Sequence, residues 1–229
     1  ISITMKLFSL LFFSLMTLSI SAFAQSAVDF DAKMREYKLV DIQTMEGAED
    51  IIVELKYSTT DNFVGRDMYR DLEKAYLTPD FARKVVRAQQ ILRKRNPQLT
   101  LLIYDAARPI SVQKYMRKLV EGTKFQDFVA DGTKGGRHNY GVAVDVTLVD
   151  CTGHPIPMGS EYDYFGNRAR VDMEAQLIES GEINQRELQN RQLLREIMTE
   201  AGWLVEPSEW WHFNAMPLSE ASQKLTVIK

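Results

Sequence analysis

His138-Asn139-Tyr140-Gly141-Val142-Ala143-Val144-Asp145-Val146-Thr147-Leu148-Val149 holds the two statements on which the fold and its chemistry turn. From Val142 onward the run is rich in β-branched residues, so it reads as a strand over Val142–Val149. In a regular strand Ala143, Asp145 and Thr147 share one side, and Val142, Val144, Val146 and Leu148 the other. A carboxylate in the middle of such a strand is costly to bury unless it is paired or metal-bound. His138 and Asp145 are seven residues apart, an odd separation that puts them on opposite faces of one unbroken strand. They converge only if His138 lies outside the strand, and Gly141 offers the bend.

About seventy residues downstream stands Glu209-Trp210-Trp211-His212. The chain has only 3 histidines, and two of them fall in these two segments. His138, Asp145 and His212 with Glu209 make the parts list of a hydrolytic zinc site: three protein ligands, an open position for water, and a general base. Each alone has a plainer reading, as a surface or packed histidine, a satisfied core histidine, or a solvated acid. Glu209 and His212 share a face in a helical turn but not in a strand, so the local conformation stays open. Trp210 and Trp211 read as core. If His212 binds metal, Glu209 is close enough to move protons for the attacking water.

Working outward, Ile51–Tyr57 and Leu99–Tyr104 read as strands. Thr59–Tyr69 is a polar, turn-rich loop. Thr78-Pro79-Asp80 opens a helix with Thr78 at its N-cap, and Phe81, Val85, Ala88 and Leu92 give it one apolar face until Asn96-Pro97. Ser111 is the candidate cap of a second helix running to about Val120. Asn184 with Glu187 forms a capping box for a helix to about Ala201, stopped by Gly202. Trp203–Phe213 returns as extended chain. Strands and helices mix without a βαβ rhythm, which predicts an α+β domain whose central sheet is mostly antiparallel and flanked by helices. Arg108 follows the Leu99–Tyr104 strand, and Pro109 restricts it towards extended geometry. An arginine there can stabilise an oxyanion, or form a surface ion pair with Asp105.

The chain has 229 residues, 45% hydrophobic and 26% charged, which suits one globular domain. Its formal net charge of −3 excludes the bulk basic character that marks a nucleic-acid binder. Leu7–Ile20 is apolar or hydroxylated after Met5-Lys6, and Ala22-Phe23-Ala24 is an A-x-A site. Residues 1–24 therefore read as a secretory signal peptide, with an uncleaved anchor as the alternative. The mature chain of 25–229 would carry a net charge of −4, since 1–24 hold one Lys and no acid. The expected location is exported, periplasmic or secreted, with no stable membrane insertion after cleavage. The lone cysteine, Cys151, excludes an intramolecular disulfide. It sits in the turn Asp150–Pro155, where no motif pairs it with a base.

Taken together, these segments resemble the D-alanyl-D-alanine dipeptidases, of a zinc peptidase family that also includes D,D-carboxypeptidases and L-alanyl-D-glutamate endopeptidases. H-x-x-G-x-A-x-D and E-W-W-H carry the wider resemblance. It extends through Lys56-Tyr57, Asp61-Asn62-Phe63, Gly65, Asp105 and Arg108-Pro109. Pro157-Met158-Gly159-Ser160 with Asp163 follows, then the block from Asn190 to Phe213. The D-N-F-x-G and P-M-G-S-x-x-D segments favour the dipeptidase branch. The resemblance implies a D,D-peptidase/hedgehog-like fold and one Zn2+ per chain, bound by His138, Asp145 and His212. It implies Glu209 as base and acid, Arg108 as stabiliser of the tetrahedral intermediate, and Asp163 as partner of the substrate's ammonium. The expected reaction is hydrolysis of the small dipeptide D-Ala-D-Ala in peptidoglycan metabolism or turnover. The alternatives are action on longer wall peptides, or a non-catalytic wall-binding protein. One departure stands out: the family usually has Ser where this chain has Gly136.

Overall fold

The computed structural model of the protein describes residues 29–229; the signal-peptide reading of 1–24 lies outside them. Among the described residues no helix is long and apolar enough to cross a membrane.

The centre is a five-stranded sheet in the order β2 (Ile52–Val53), β4 (Thr100–Asp105), β5 (Ala143–Val149), β7 (His212–Asn214), β6 (Leu204–Val205). Only β2 and β4 run parallel; the other neighbours are antiparallel. A small two-stranded sheet pairs β1 (Val40–Asp41) with β3 (Tyr76–Leu77). The α+β reading with a mostly antiparallel sheet therefore holds.

Register sorts the side chains of β5. Leu101 opposes Leu148, Ile103 opposes Val146, and Phe213 opposes Val144. These residues join one apolar cluster with Val85, Ala88 and Leu92 of α2 (Pro79–Arg95) and Leu194, Ile197 and Met198 of α5 (Gln185–Glu200). That is the core face. Asp145 pairs with His212 on the opposite face. Tyr104, Leu102 and Val149 form a second small cluster against Tyr162.

Several boundaries differ from expectation, each for a local reason. The strand expected over Ile51–Tyr57 pairs only at Ile52–Val53. The chain then turns into a 3-10 helix at Lys56–Ser58, which buries the Tyr57 ring. Thr78 sits at the N-cap of α2 with no side-chain capping bond; Pro79 supplies the helical φ, and the Phe81 N–H is taken by the Thr78 carbonyl at 3.0 Å. The next helix, α3 (Ile110–Val120), is entered from Pro109, so Ser111 lies inside it rather than capping it. The Asn184–Glu187 capping box forms in full at the start of α5. Trp203–Phe213 is not continuous extended chain: Glu206–Trp211 turn between β6 and β7, with Pro207 in the turn. The remaining helices are α1 (Phe30–Glu36), α4 (Glu174–Glu179) and α6 (Leu218–Lys224). Cys151 is exposed in the turn after β5.

Candidate metal centre

His138 lies outside β5, in a 3-10 turn over Arg137–Tyr140. Gly141 closes that turn at φ +66°, a left-handed conformation favoured by glycine. The bend releases His138 from strand alternation and brings it over Asp145. His212 arrives from β7 directly opposite Asp145. His138 Nε2, His212 Nδ1 and Asp145 Oδ1 form a triangle with edges of 3.1, 2.9 and 3.4 Å. Ligands about 2.0–2.1 Å from a tetrahedral ion stand about 3.3 Å apart, so the triangle is close to the size an ion needs.

The hydrogen bonds behind these atoms decide what the triangle can hold. His138 Nδ1 lies 2.6 Å from the carbonyl oxygen of Ala106, which can only accept, so Nδ1 carries the proton and Nε2 presents a lone pair. His212 Nε2 lies 2.7 Å from Asn214 Oδ1. The Asn214 orientation is fixed in turn, because its amide nitrogen faces the Glu206 carboxylate at 3.4 Å. His212 therefore donates from Nε2 and turns its Nδ1 lone pair inward. Asp145 Oδ2 accepts from the Tyr162 hydroxyl at 2.9 Å, leaving Oδ1 free to ligate. Three acceptors converge with no donor among them, an arrangement that calls for a cation.

Electrostatics agree. Burial would raise the Asp145 carboxyl, yet the imidazoles of His138 and His212 hold it well below the usual carboxylate range. Burial would depress the His212 imidazole, but the hydrogen bond and charge of Asp145 hold it up at about 9. The site thus favours positive charge at His212 Nδ1, and a proton and a metal ion compete for that lone pair. Nitrogen and carboxylate ligands with outer-shell hydrogen bonds fit zinc and other divalent first-row ions.

Glu209 sits in the turn before β7, and the His212 N–H reaches the Glu209 carbonyl at 3.4 Å. The turn settles the open geometry: Glu209 Oε2 lies 3.8 Å from His212 Nδ1. Its side chain keeps 39% exposure, so water can reach it. Desolvation of the carboxyl by the surrounding protein raises it above the ordinary value, with His212 opposing the effect and Asp145 adding to it.

Arg108 does pair with Asp105, but not on the surface: Asp105 is fully buried and the Arg108 side chain is only 11% exposed. Arg108 Nε donates to Asp105 Oδ2 at 3.0 Å, Nη2 donates to the same oxygen, and Nη1 donates to Gln113 Oε1 at 2.8 Å. Three of its five N–H donors are thereby used and two remain. The guanidinium lies over the Tyr57 ring, 4.9 Å from its centroid. Asp105 reaches this position through a register shift between Ile103 and Asp105, which sets it opposite Asp145. Without the shift Asp105 would oppose Val144, on the core side. A bulge of this kind re-aims a side chain beside a site.

Asp163 ends a tightly fixed loop. Gly159 takes φ +83°, and a Cβ there would meet Ile183 Cγ2 at 2.6 Å, so only glycine fits. Arg191 of α5 donates to the carbonyls of Met158 and Arg168 from beneath. The Trp210 indole N–H donates to Ser160 Oγ at 2.9 Å. Asp163 itself adopts φ +56°, a conformation few side chains tolerate. Its carboxylate accepts from the Tyr57 hydroxyl at 2.9 Å. Burial raises the Asp163 carboxyl well above its ordinary value, the Tyr57 hydrogen bond opposing and Asp145 reinforcing. The Asp61–Gly65 loop does not touch the ligands. Asn62 clamps it through the carbonyls of Lys56, Thr59 and Arg66, and Phe63 packs edge-on against Tyr57.

A family model described as D-ala-D-ala dipeptidase matches residues 35–227. The chain belongs to this dipeptidase family. A D-alanyl-D-alanine dipeptidase of Escherichia coli is 32% identical over 164 residues, covering 72% of this chain and 78% of that protein. One from Synechocystis sp. is 26% identical over 230 residues, covering 82% and 89%. One from Enterococcus faecium is 28% identical over 176 residues, covering 69% and 82%. Dipeptidases of this family are metal-dependent peptidases, and His138, Asp145 and His212 make the possible three-residue metal site of this member.

The structure places the three candidate ligands His138, Asp145 and His212 within 4.8 Å of one another, with Glu209 3.8 Å from His212. Sequence reasoning missed Tyr162 and Asn214, named Tyr57 without a role, and did not place Asp105 at the centre. Asn214 had a signal, standing two residues beyond His212 and so on the same strand face. Tyr162 had none, because its approach to Asp145 depends on the loop Pro157–Asp163.

Proposed function

We propose that the protein hydrolyses D-Ala-D-Ala to free D-alanine, with zinc held by His138, Asp145 and His212. The convergence of three lone pairs on one point carries this reading. Zinc bound there supplies Lewis acidity, lowering the pKa of water towards about 7 and polarising the scissile carbonyl. Glu209, beside His212, takes the proton of the attacking water and delivers it to the departing amine. Its raised carboxyl favours holding that proton between the two transfers. Arg108 turns its two remaining donors to the oxyanion that develops as the carbonyl becomes tetrahedral. Asp163, with the Tyr57 hydroxyl, pairs with the free ammonium of the dipeptide. A fixed carboxylate there selects an unblocked amino terminus over longer or acylated peptides.

The apolar run Leu7–Ile20 and the site Ala22-Phe23-Ala24 support export, with the enzyme acting on D-Ala-D-Ala from peptidoglycan turnover and recovering D-alanine or remodelling the wall. The dipeptide and its N-acetyl form, assayed side by side, test the substrate reading. D-Ala-D-Ala should be cleaved and the blocked form rejected. Equal turnover of both would assign the enzyme to longer wall peptides instead, and a Glu209→Ala protein as active as wild type would remove the base from the mechanism.

A further inference from the structure

The dipeptide reading leaves one end of the substrate without a partner. A free dipeptide is a zwitterion, and its carboxylate is costly to desolvate unpaired. Asp163 answers the ammonium. Because Glu209 delivers a proton to the departing amine, the carboxyl-terminal residue lies on the Glu209 side of the centre. A cation is required there. Arg108 is tied to Asp105 and Gln113, and its two remaining donors are assigned to the oxyanion.

Arg137 has a different status. It immediately precedes the ligand His138 in the 3-10 turn. Its nearest acidic atom is Glu206 Oε2, 3.6 Å from Nη1, beyond hydrogen-bond reach. Glu206 belongs to the turn that carries Glu209, and its carboxylate also faces Asn214, the residue that orients His212. The guanidinium therefore stands beside the turn that carries Glu209, next to the carboxylate that faces Asn214. Its side chain is 32% exposed, yet Nε is buried and has no hydrogen-bond partner. No side-chain hydrogen bond from Arg137 occurs at all among the described residues. A guanidinium held by charge but left with unmet donors, one of them buried, is a poor arrangement for stability alone. The backbone just before it is open: apart from its chain neighbours, a Cβ built on Gly136 would meet only Asn139 Oδ1, at 3.7 Å.

We propose that Arg137 binds the substrate's terminal carboxylate, using the donors that no protein group takes. Glu206 holds the guanidinium in place without saturating it. Arg137 is thus a specificity residue that confines the enzyme to a free carboxyl terminus, as Asp163 confines it to a free amino terminus. This rests on the dipeptide reading and extends it to the second end.

The test compares D-Ala-D-Ala with its carboxyl-terminal amide on the zinc-loaded full protein. Wild type, Arg137→Gln and Arg137→Lys are measured for kcat and KM, zinc content and unfolding midpoint. Wild type should prefer the acid by about ten- to a hundredfold in kcat/KM, the range for a charge-assisted contact. Arg137→Gln should lose most of that preference, mainly through KM on the acid, with amide hydrolysis within about threefold of wild type and zinc content unchanged. Arg137→Lys should keep part of it. A preference undiminished in Arg137→Gln overturns the proposal, as does a parallel fall on acid and amide, or a wild type indifferent to amidation. A wild type that cleaves neither compound overturns the dipeptide reading itself, and the two failures are told apart by wild-type turnover of D-Ala-D-Ala.

Discussion

Replacing Asp105 by Ala removes the buried acceptor that both Arg108 and Tyr69 use. Asp105 is fully buried, takes two donors from Arg108, and accepts the Tyr69 hydroxyl at 2.6 Å. Without it a nearly buried guanidinium loses its counter-charge and a buried hydroxyl loses its acceptor. Breaking a buried ion pair from one side costs about 3–5 kcal/mol, and the stranded hydroxyl adds about 1 kcal/mol or more. The sum, about 5 kcal/mol, corresponds to a fall in Tm of about 10–20 °C for a domain of this size. A double-mutant cycle isolates the pair. Asp105→Ala, Arg108→Ala and the double variant are unfolded in urea, and zinc content is checked for each. Each single variant strands the other's charge, so the double variant should be more stable than the sum of the two losses implies, by about 2 kcal/mol or more. A loss below about 1 kcal/mol for Asp105→Ala, or strict additivity in the cycle, would refute the buried pair as the support of Arg108.

Asn214→Leu removes the acceptor that fixes the His212 tautomer and should weaken zinc affinity about 10- to 100-fold, measured by competition with a chelator of known affinity; unchanged affinity would show that Asn214 does not set the ligand. Gly159→Ala drives a Cβ to 2.6 Å from Ile183 at a positive φ, so the Met158–Asp163 loop must shift. KM for D-Ala-D-Ala should rise several-fold while zinc content holds, and a wild-type KM would separate that loop from substrate binding.

The parts of this site that were legible in the sequence are those set by local rules. Asp145 could be placed on one side of β5 because strand alternation and valine-rich flanks leave little choice. His138 had to leave the strand because seven residues is an odd separation, and Gly141 supplies the left-handed turn that allows it. The capping box at Asn184 likewise states its helix in four residues. Other features depend on pairing between distant segments. The slip that sets Asp105 opposite Asp145 exists only in the contact of β4 with β5, so Asp105 read from sequence as half of a surface pair. Tyr57 looked like the end of a strand because Ile51–Tyr57 is β-rich throughout. Tertiary packing instead turned it under Arg108, where its hydroxyl meets Asp163. The turn Glu206–Trp211 was marked by Pro207, but the apolar Trp210-Trp211-His212-Phe213 run outweighed that signal.

Metal content paired with turnover tests the central claim most directly. The purified protein is analysed for bound metal and assayed on D-Ala-D-Ala, then again after chelation and after zinc is restored. One zinc per chain is expected, with activity lost as zinc is removed and regained on its return, and with Asp145→Ala holding no zinc under the same conditions. Full dipeptide hydrolysis by protein shown to carry no metal, or normal zinc binding by Asp145→Ala, would contradict the account.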